Sequence, residues 1–272
     1  MAGTFAMYLA WPPLGLEPLE RFAASYRAHP AGIEHRLVVV VKGPADDRFT
    51  ARCHEIVAEL GGQSLAVPAV GIDLDTYRRV GTGLDADTLC LLNSSSAVLG
   101  DGWLAALHGV VTRPGVGLAG CTGTYESSLS AAPRPLRPFL RRRYPAFPNP
   151  HIRTNAVMLR RELMLELEWP ETVGTKRRAL ELESGVHGIT RQVQARGLST
   201  LVVGRDGRAY PPEEWPQSRT FRAGDQDNLL VADNRTRQYD QASAPFRAQL
   251  AGYAWGDRAP VSPAQLAEVP PA

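Results

Sequence analysis

The chain has 272 residues, 44% hydrophobic and 21% charged, a balance that excludes a disordered protein and allows a sizeable core without disulfides or a structural metal. Its formal net charge of +2 is close to neutral and makes no general case for nucleic acid, which is not an expected partner. No stretch reaches the roughly 18 consecutive apolar residues of a membrane span. Residues 1–10 lack the basic start and longer apolar run of a signal peptide, so a cytoplasmic location is expected, with membrane association left open.

In chain order, Phe5 to Trp11 reads as a short strand, followed after Pro12 and Pro13 by a helix with Leu16, Leu19, Phe22, Ala23 and Tyr26 on one face. Leu37 to Val41 is a continuous apolar run, the pattern of a strand covered on both faces. Asp46 and Asp47 open a second helix with the stripe Phe49, Cys53, Ile56, Val57 and Leu60. A strand over Ser64–Val67, a helix over Asp73–Val80 and a strand over Thr88–Leu92 follow. Asp101 then caps a helix bearing Trp103, Leu104, Leu107 and Val111.

This alternation predicts an α/β fold with a mainly parallel central sheet and helices on both faces. Cys53, Cys90 and Cys121 lie far apart in apolar surroundings, as buried reduced thiols would. The sequons at Asn93 and Asn234 are short enough to arise by chance.

From Thr122 to Pro150 the periodicity lapses in a segment with five prolines before Pro150 and five arginines (Arg134, Arg137, Arg141, Arg142 and Arg143), which reads as either a functional or a mobile loop. Order resumes with a strand over Ile152–Leu159 and helices near Arg161–Leu167 and over Ser184–Arg196. A strand over Thr200–Val203 ends at the turn Gly204-Arg-Asp-Gly. The Pro- and Ala-rich tail, 257–272, is expected to be disordered.

Ligands of parallel sheets bind beyond the carboxyl ends of the strands. That rule selects Lys42-Gly43, Asn93-Ser94-Ser95-Ser96, the loop after Cys121 and the polar run before Ser184. Gly81-x-Gly83 precedes a strand rather than following one, which excludes a dinucleotide fingerprint.

Leu91-Leu92-Asn93-Ser94-Ser95, followed by Gly102-Trp103-Leu104, resembles the glycosyltransferase A-type (GT-A) fold, in which a strand ends in Asp-x-Asp before a helix opening with Gly-Trp-Leu. Asp73-Leu-Asp-Thr-Tyr77, Asn149-Pro-His-Ile-Arg-Thr-Asn155 and Glu181-Leu-Glu183 resemble that family's nucleotide-side helix, acceptor-side strand and catalytic-carboxylate segment. Together with Gln226 to Asn234 the array is similar to a group of uncharacterised bacterial glycosyltransferase-like proteins, over about residues 5 to 256.

The resemblance implies one domain, 1–256, with a nucleotide-binding half (1–121) and an acceptor-binding half (122–256). It implies transfer of a sugar from a nucleoside-diphosphate donor to a glycan or lipid-linked acceptor, as in polysaccharide biosynthesis. Donor contacts are expected from Lys42, Asp73, Tyr77, Asn93 and Ser95, and acceptor contacts from His151, Arg153 and Asn155. Each has a plainer alternative: Asp73 and Tyr77 as a helix cap and a core tyrosine, Asn93 and Ser95 as a turn, His151 as a structural histidine.

Glu183 is the expected catalytic base, with Glu181 in reserve; placed just before a helix N-terminus, it would have its charge stabilised there, although an ordinary cap looks the same. The sequence departs from the family in that Asn93-Ser94-Ser95 has no carboxylate where Asp-x-Asp would hold a divalent cation. No cofactor is therefore certain. A divalent metal could be held elsewhere, or Lys42, Arg153, Arg191 or Arg205 could neutralise the diphosphate. The same departure favours, as the alternative, a non-catalytic protein that binds nucleotide sugar or glycan. A nucleotidyltransferase is a distant third, because Ala10-Trp11-Pro12-Pro13 is no glycine-rich phosphate loop. Arg134–Arg143 could contact anionic lipid, or be a solvated loop.

Overall fold

The computed structural model of the chain describes residues 3–170 and 174–256, so the tail expected at 257–272 lies outside the described residues. Eight strands form the central sheet in the order Ala209–Tyr210, Ser199–Val203, Val116–Gly120, Val157–Arg160, Ala86–Leu92, Gly3–Ala10, Arg36–Lys42 and Gln63–Val67. Val157–Arg160 runs antiparallel to both its neighbours, and Ala209–Tyr210 is an antiparallel edge; the other pairings are parallel.

The continuous apolar runs follow from burial on both faces. Side chains alternate across a strand, so Phe5, Met7, Leu9, Val38 and Val40 enter one core while Ala6, Tyr8, Ala10, Leu37, Val39 and Val41 enter the other. Helices Glu17–Ala28, Asp47–Glu59 and Trp103–Val111 close the second of these cores. Helices Asp73–Gly83, Arg161–Glu166 and Ile189–Ala195 close the first. Cys53, Cys90 and Cys121 are all free and buried. No helix among the described residues is long and apolar enough to cross a membrane.

Several expectations are corrected. The strand expected over Ile152–Leu159 is broken into His151–Ile152 and Val157–Arg160, because Ala156 takes a left-handed conformation (φ 49°). The helix expected over Ser184–Arg196 is two helices, Lys176–Ser184 and Ile189–Ala195, separated by Gly185 and Gly188. The first of them was hidden because Lys176, Arg177 and Arg178 crowd its N-terminal turn, where positive charge opposes the helix dipole. Thr175 compensates by accepting a hydrogen bond from the Arg178 N–H (3.2 Å).

The proline-rich segment is built rather than loose. It folds into short helices at Ser128–Ala131 and Arg137–Leu140, with a 3-10 turn at Arg134–Leu136. The Arg137 guanidinium donates to the carbonyls of Ala132 (3.0 Å) and Ser130 (2.8 Å), and the Ser127 hydroxyl to that of Pro145 (2.6 Å). Two C-terminal helices, Asn234–Gln241 and Ala244–Trp255, gave no periodic signal because the first is almost wholly polar. The second packs Trp255 edge-on against Tyr125, with ring centroids 5.2 Å apart.

A Cβ at Gly123 would lie 2.6–2.9 Å from three ring atoms of Trp215, which is fully buried. Gly123→Ala should therefore destabilise the fold by about 1–3 kcal/mol in urea denaturation. Gly109, inside helix Trp103–Val111, has open space at its Cβ, so Gly109→Ala should stabilise by about 1 kcal/mol.

Candidate active site

From Gly3–Ala10 the chain steps outward to Arg36–Lys42 and Gln63–Val67, then returns to Ala86–Leu92 on the other side of Gly3–Ala10. A crevice opens at such a switch point, outside the carboxyl ends of the strands. Here a cleft of about 730 Å³ has Trp11 and Leu14 after the first strand, Lys42 at the end of the second and Asn93, Ser94 and Ser95 after Ala86–Leu92. Asp73 borders it from the start of its helix, and Thr154 and Asn234 complete its floor and rim. The remaining wall is one face of helix Lys176–Ser184: Lys176, Ala179, Leu180 and Glu183, spaced i, i+3, i+4 and i+7.

Glu183 thus sits in the last turn of a helix, not ahead of one, which corrects the expected dipole stabilisation. Its charge is held another way. Oε1 accepts from the backbone N–H of Thr154 (2.7 Å) and from the Thr154 hydroxyl (3.0 Å). Oε2 receives no hydrogen bond from the described residues, which leaves it free for a ligand. Glu181 lies on the opposite face and is surrounded by Arg143, Arg177 and Arg178 at 3.4, 3.9 and 3.9 Å; it is engaged and away from the cleft.

Lys42 is buried with its Nζ donating to the Gly71 carbonyl (2.8 Å) and 3.8 Å from Asp73 Oδ1. Burial pulls the Lys42 ammonium below its usual pKa, against the opposing effect of Asp73 and Asp75. Partial withdrawal from water raises the Asp73 carboxyl, against Lys42. Asn93 is oriented inward on its own loop: Oδ1 accepts from the Ser95 N–H (2.8 Å) and the Ser96 hydroxyl (3.3 Å). The Tyr8 hydroxyl and Arg237 fix the loop further by donating to the carbonyls of Ser94 (2.8 Å) and Ser95 (2.9 Å).

Five of the expected residues therefore share the cleft: Lys42, Asp73, Asn93, Ser95 and Glu183. Four do not line it. Tyr77 is fully buried in the core and donates its hydroxyl to the Leu92 carbonyl (2.8 Å), so the core-tyrosine alternative holds. His151 is buried, with Nδ1 donating to the Asn149 carbonyl (2.8 Å). Asn155 is buried behind the loop, its Oδ1 accepting from the Asn93 N–H (3.1 Å) and the Ser96 hydroxyl (2.7 Å). Arg153 pairs with Asp233 at 2.7 Å and stacks on Phe221, 4.4 Å from the ring centroid. Of the other cations considered, Arg191 donates to Asn149 Oδ1 and Arg205 to the Leu229 carbonyl, so neither is free to face the cleft.

Sequence reasoning passed over Thr154, Trp11 and Lys176. Thr154 stood between two chosen residues and carried no signal of its own. Trp11 could have been found as a large aromatic directly after the first strand; it is 45% exposed.

No family model matches the chain, and no curated protein matches it. Among solved structures it is similar to a mannosyltransferase from Pyrobaculum calidifontis in complex with GDP-Man and Mn2+. The TM-score is 0.45 and the identity 16%, over 79% of this chain and 59% of that one. It is also similar to glucosyl-3-phosphoglycerate synthase from Mycobacterium tuberculosis in complex with Mn2+, UDP and glucosyl-3-phosphoglycerate. There the TM-score is 0.40 and the identity 17%, over 60% of this chain and 58% of that one. The chain thus spans less than two thirds of the length of either structure.

Asn93, Ser94 and Ser95 do not fit a carboxylate-held divalent ion. They are neutral, and the Asn93 oxygen is already shared by two donors. Among the described residues no group of three or more His, Cys, Asp or Glu side chains is placed to hold a metal.

Burial alone would raise the Asp233 carboxyl, but the Arg153 charge and hydrogen bond, with the Thr236 and Arg235 N–H groups, bring it below its usual value. A depressed carboxylate contributes stability that is present above its unfolded pKa of about 4 and lost as pH falls through the lower folded value. Asp233→Asn, which leaves Arg153 buried without its counter-charge, should cost about 3–5 kcal/mol at neutral pH. It should also flatten the loss of stability below about pH 4 in a pH series of denaturation curves. Tyr77→Phe should cost only about 1 kcal/mol and leave binding in the cleft unchanged by calorimetry.

Proposed function

We propose that the chain is a glycosyltransferase that moves a sugar from a nucleoside-diphosphate donor to an acceptor hydroxyl, with Glu183 as base. The observation that carries this reading is the placing of Glu183. Its carboxylate is anchored through one oxygen by Thr154, open at the other, and in one cleft with the Lys42 and Asp73 pair beyond the parallel strand ends. In the proposed step the acceptor oxygen attacks the anomeric carbon and its proton passes to Glu183 Oε2. The bond from that carbon to the diphosphate oxygen breaks, and its electron pair leaves with the diphosphate.

In this assignment Lys42 and Lys176 supply positive charge to the diphosphate, while Asp73 accepts from the nucleoside. The amide nitrogen of Asn93 and the hydroxyl of Ser95 offer neutral donors, and Trp11 an aromatic wall. His151, Arg153 and Asn155 act as supports of that site rather than as acceptor contacts. Residues 1–121 form the donor half and 122–256 the acceptor half of one domain. The acceptor is a glycan or a lipid-linked sugar, and the enzyme works in the cytoplasm. The two similar enzymes were solved with Mn2+. For this chain we propose donor binding through cationic side chains, because the neutral loop after Ala86–Leu92 is a poor ligand for a hard cation.

A second reading, a non-catalytic binder of nucleotide sugar or glycan, is favoured by that same neutral loop. One experiment separates the two. Thermal-shift screening against UDP-, GDP-, CDP- and dTDP-sugars, with manganese and with chelator, should reveal one nucleotide class whose stabilisation survives chelation. Glu183→Gln should keep that shift and lower turnover by about 10²–10⁴-fold. Strict manganese dependence would remove the metal-poor assignment. Binding without turnover in the wild-type chain would select the second reading.

A further inference from the structure

Between Ser127 and Pro150 the chain carries five arginines and no aspartate or glutamate. Arg137 is consumed in holding the segment together through the Ala132 and Ser130 carbonyls. Arg134, Arg141 and Arg142 are exposed, and their guanidinium groups have no hydrogen-bond or ion-pair partner among the described residues. Between them the segment presents two large apolar side chains to water: Phe139 is 77% exposed and Leu136 52%. Such side chains normally bury, and here the ordered short helices around them hold them outward.

The positive charge continues onto the neighbouring helix, Lys176–Ser184, whose Arg177 and Arg178 share the single carboxylate of Glu181 with Arg143 of the segment. The segment is fixed to the end of that helix and the turn after it by backbone and side-chain bonds. The Val186 N–H donates to the Arg143 carbonyl (2.9 Å), and the Asn149 amide donates to the Ser184 carbonyl (2.8 Å). One helix therefore bears the basic rim on one face and the cleft wall with Glu183 on the other.

We propose that this face docks on an anionic lipid bilayer. Phe139 and Leu136 enter the headgroup region, and Arg134, Arg141 and Arg142, backed by the rim around Glu181, meet the lipid phosphates. Protruding apolar side chains flanked by unpaired cations suit a soft anionic interface that receives both, without a matching pocket. Docking would hold the cleft wall, on the far face of that helix, about 10 Å from the bilayer, within reach of a lipid-borne acceptor. That role rests on the transfer reading; the docking itself does not.

The test is co-sedimentation of the full chain with phosphatidylcholine vesicles, with and without phosphatidylglycerol, at low and high salt, with no donor or acceptor present. Sedimentation with the anionic vesicles alone, reversed by salt, is the expected result. Arg141→Gln with Arg142→Gln should weaken partitioning about thirtyfold, and Phe139→Ser about tenfold. All three positions are exposed, so melting temperatures should stay at the wild-type value, which checks that the variants fold.

Failure to sediment, equal binding to neutral vesicles, or full binding by the variants would overturn the proposal. So would capture by soluble polyglutamate in the absence of vesicle binding, which would assign the face to an acidic protein. A chain that binds vesicles yet transfers no sugar would leave docking intact and count only against the transfer reading.

Discussion

The break in the strand that enters the sheet as Val157–Arg160 organises everything around the cleft. Because Ala156 turns left-handed, the three side chains before it fan out to three different elements instead of alternating across a sheet. Arg153 reaches Asp233 at the start of helix Asn234–Gln241, Thr154 reaches Glu183, and Asn155 reaches the Asn93–Ser96 loop. The partners are 80, 29 and 59 residues distant in the chain. Only the Arg153–Asp233 contact is a fully formed buried ion pair. It is therefore the most costly of the three to break from one side, since the surviving charge has no water to return to.

The cleft itself divides the labour between charge and neutrality. Lys42 and Asp73 are both drawn partly out of water and oppose one another's shifts, so that side of the cleft carries a cation and an anion together. The loop after Ala86–Leu92 is neutral, with the Asn93 side-chain oxygen accepting two hydrogen bonds that hold its own turn. Across from it, Glu183 is held through one oxygen only. A carboxylate fixed by two donors to the same oxygen keeps its orientation while leaving the second oxygen to exchange a proton.

Where sequence reasoning misplaced residues, the cause is direction rather than identity. Tyr77 lies one turn from Asp73 on the same helix, and the spacing correctly puts the two near one another. Spacing says nothing of length, and the tyrosine ring extends into the core until its hydroxyl meets the Leu92 carbonyl. His151 and Arg153 are acceptor contacts only by the resemblance of Asn149–Asn155 to an acceptor-side strand, and here they serve the Asn149 carbonyl and Asp233. The resemblance points to Glu183, and the local reason added to it does not hold: the residue closes one helix instead of preceding another.

By itself the sequence determined the layered α/β architecture. Unbroken apolar runs at Leu37–Val41 and Leu89–Leu92 and one-faced stripes on the intervening helices leave few ways to bury both faces of a strand and one of each helix. It also determined which loops lie at the strand ends, and so that Lys42 and Asn93 share a crevice. Only the tertiary structure decided which polar side chains face that crevice and which are spent on holding it. Those choices depend on hydrogen bonds between segments far apart in the chain, and periodicity registers only whether a residue is buried, not what it is buried against.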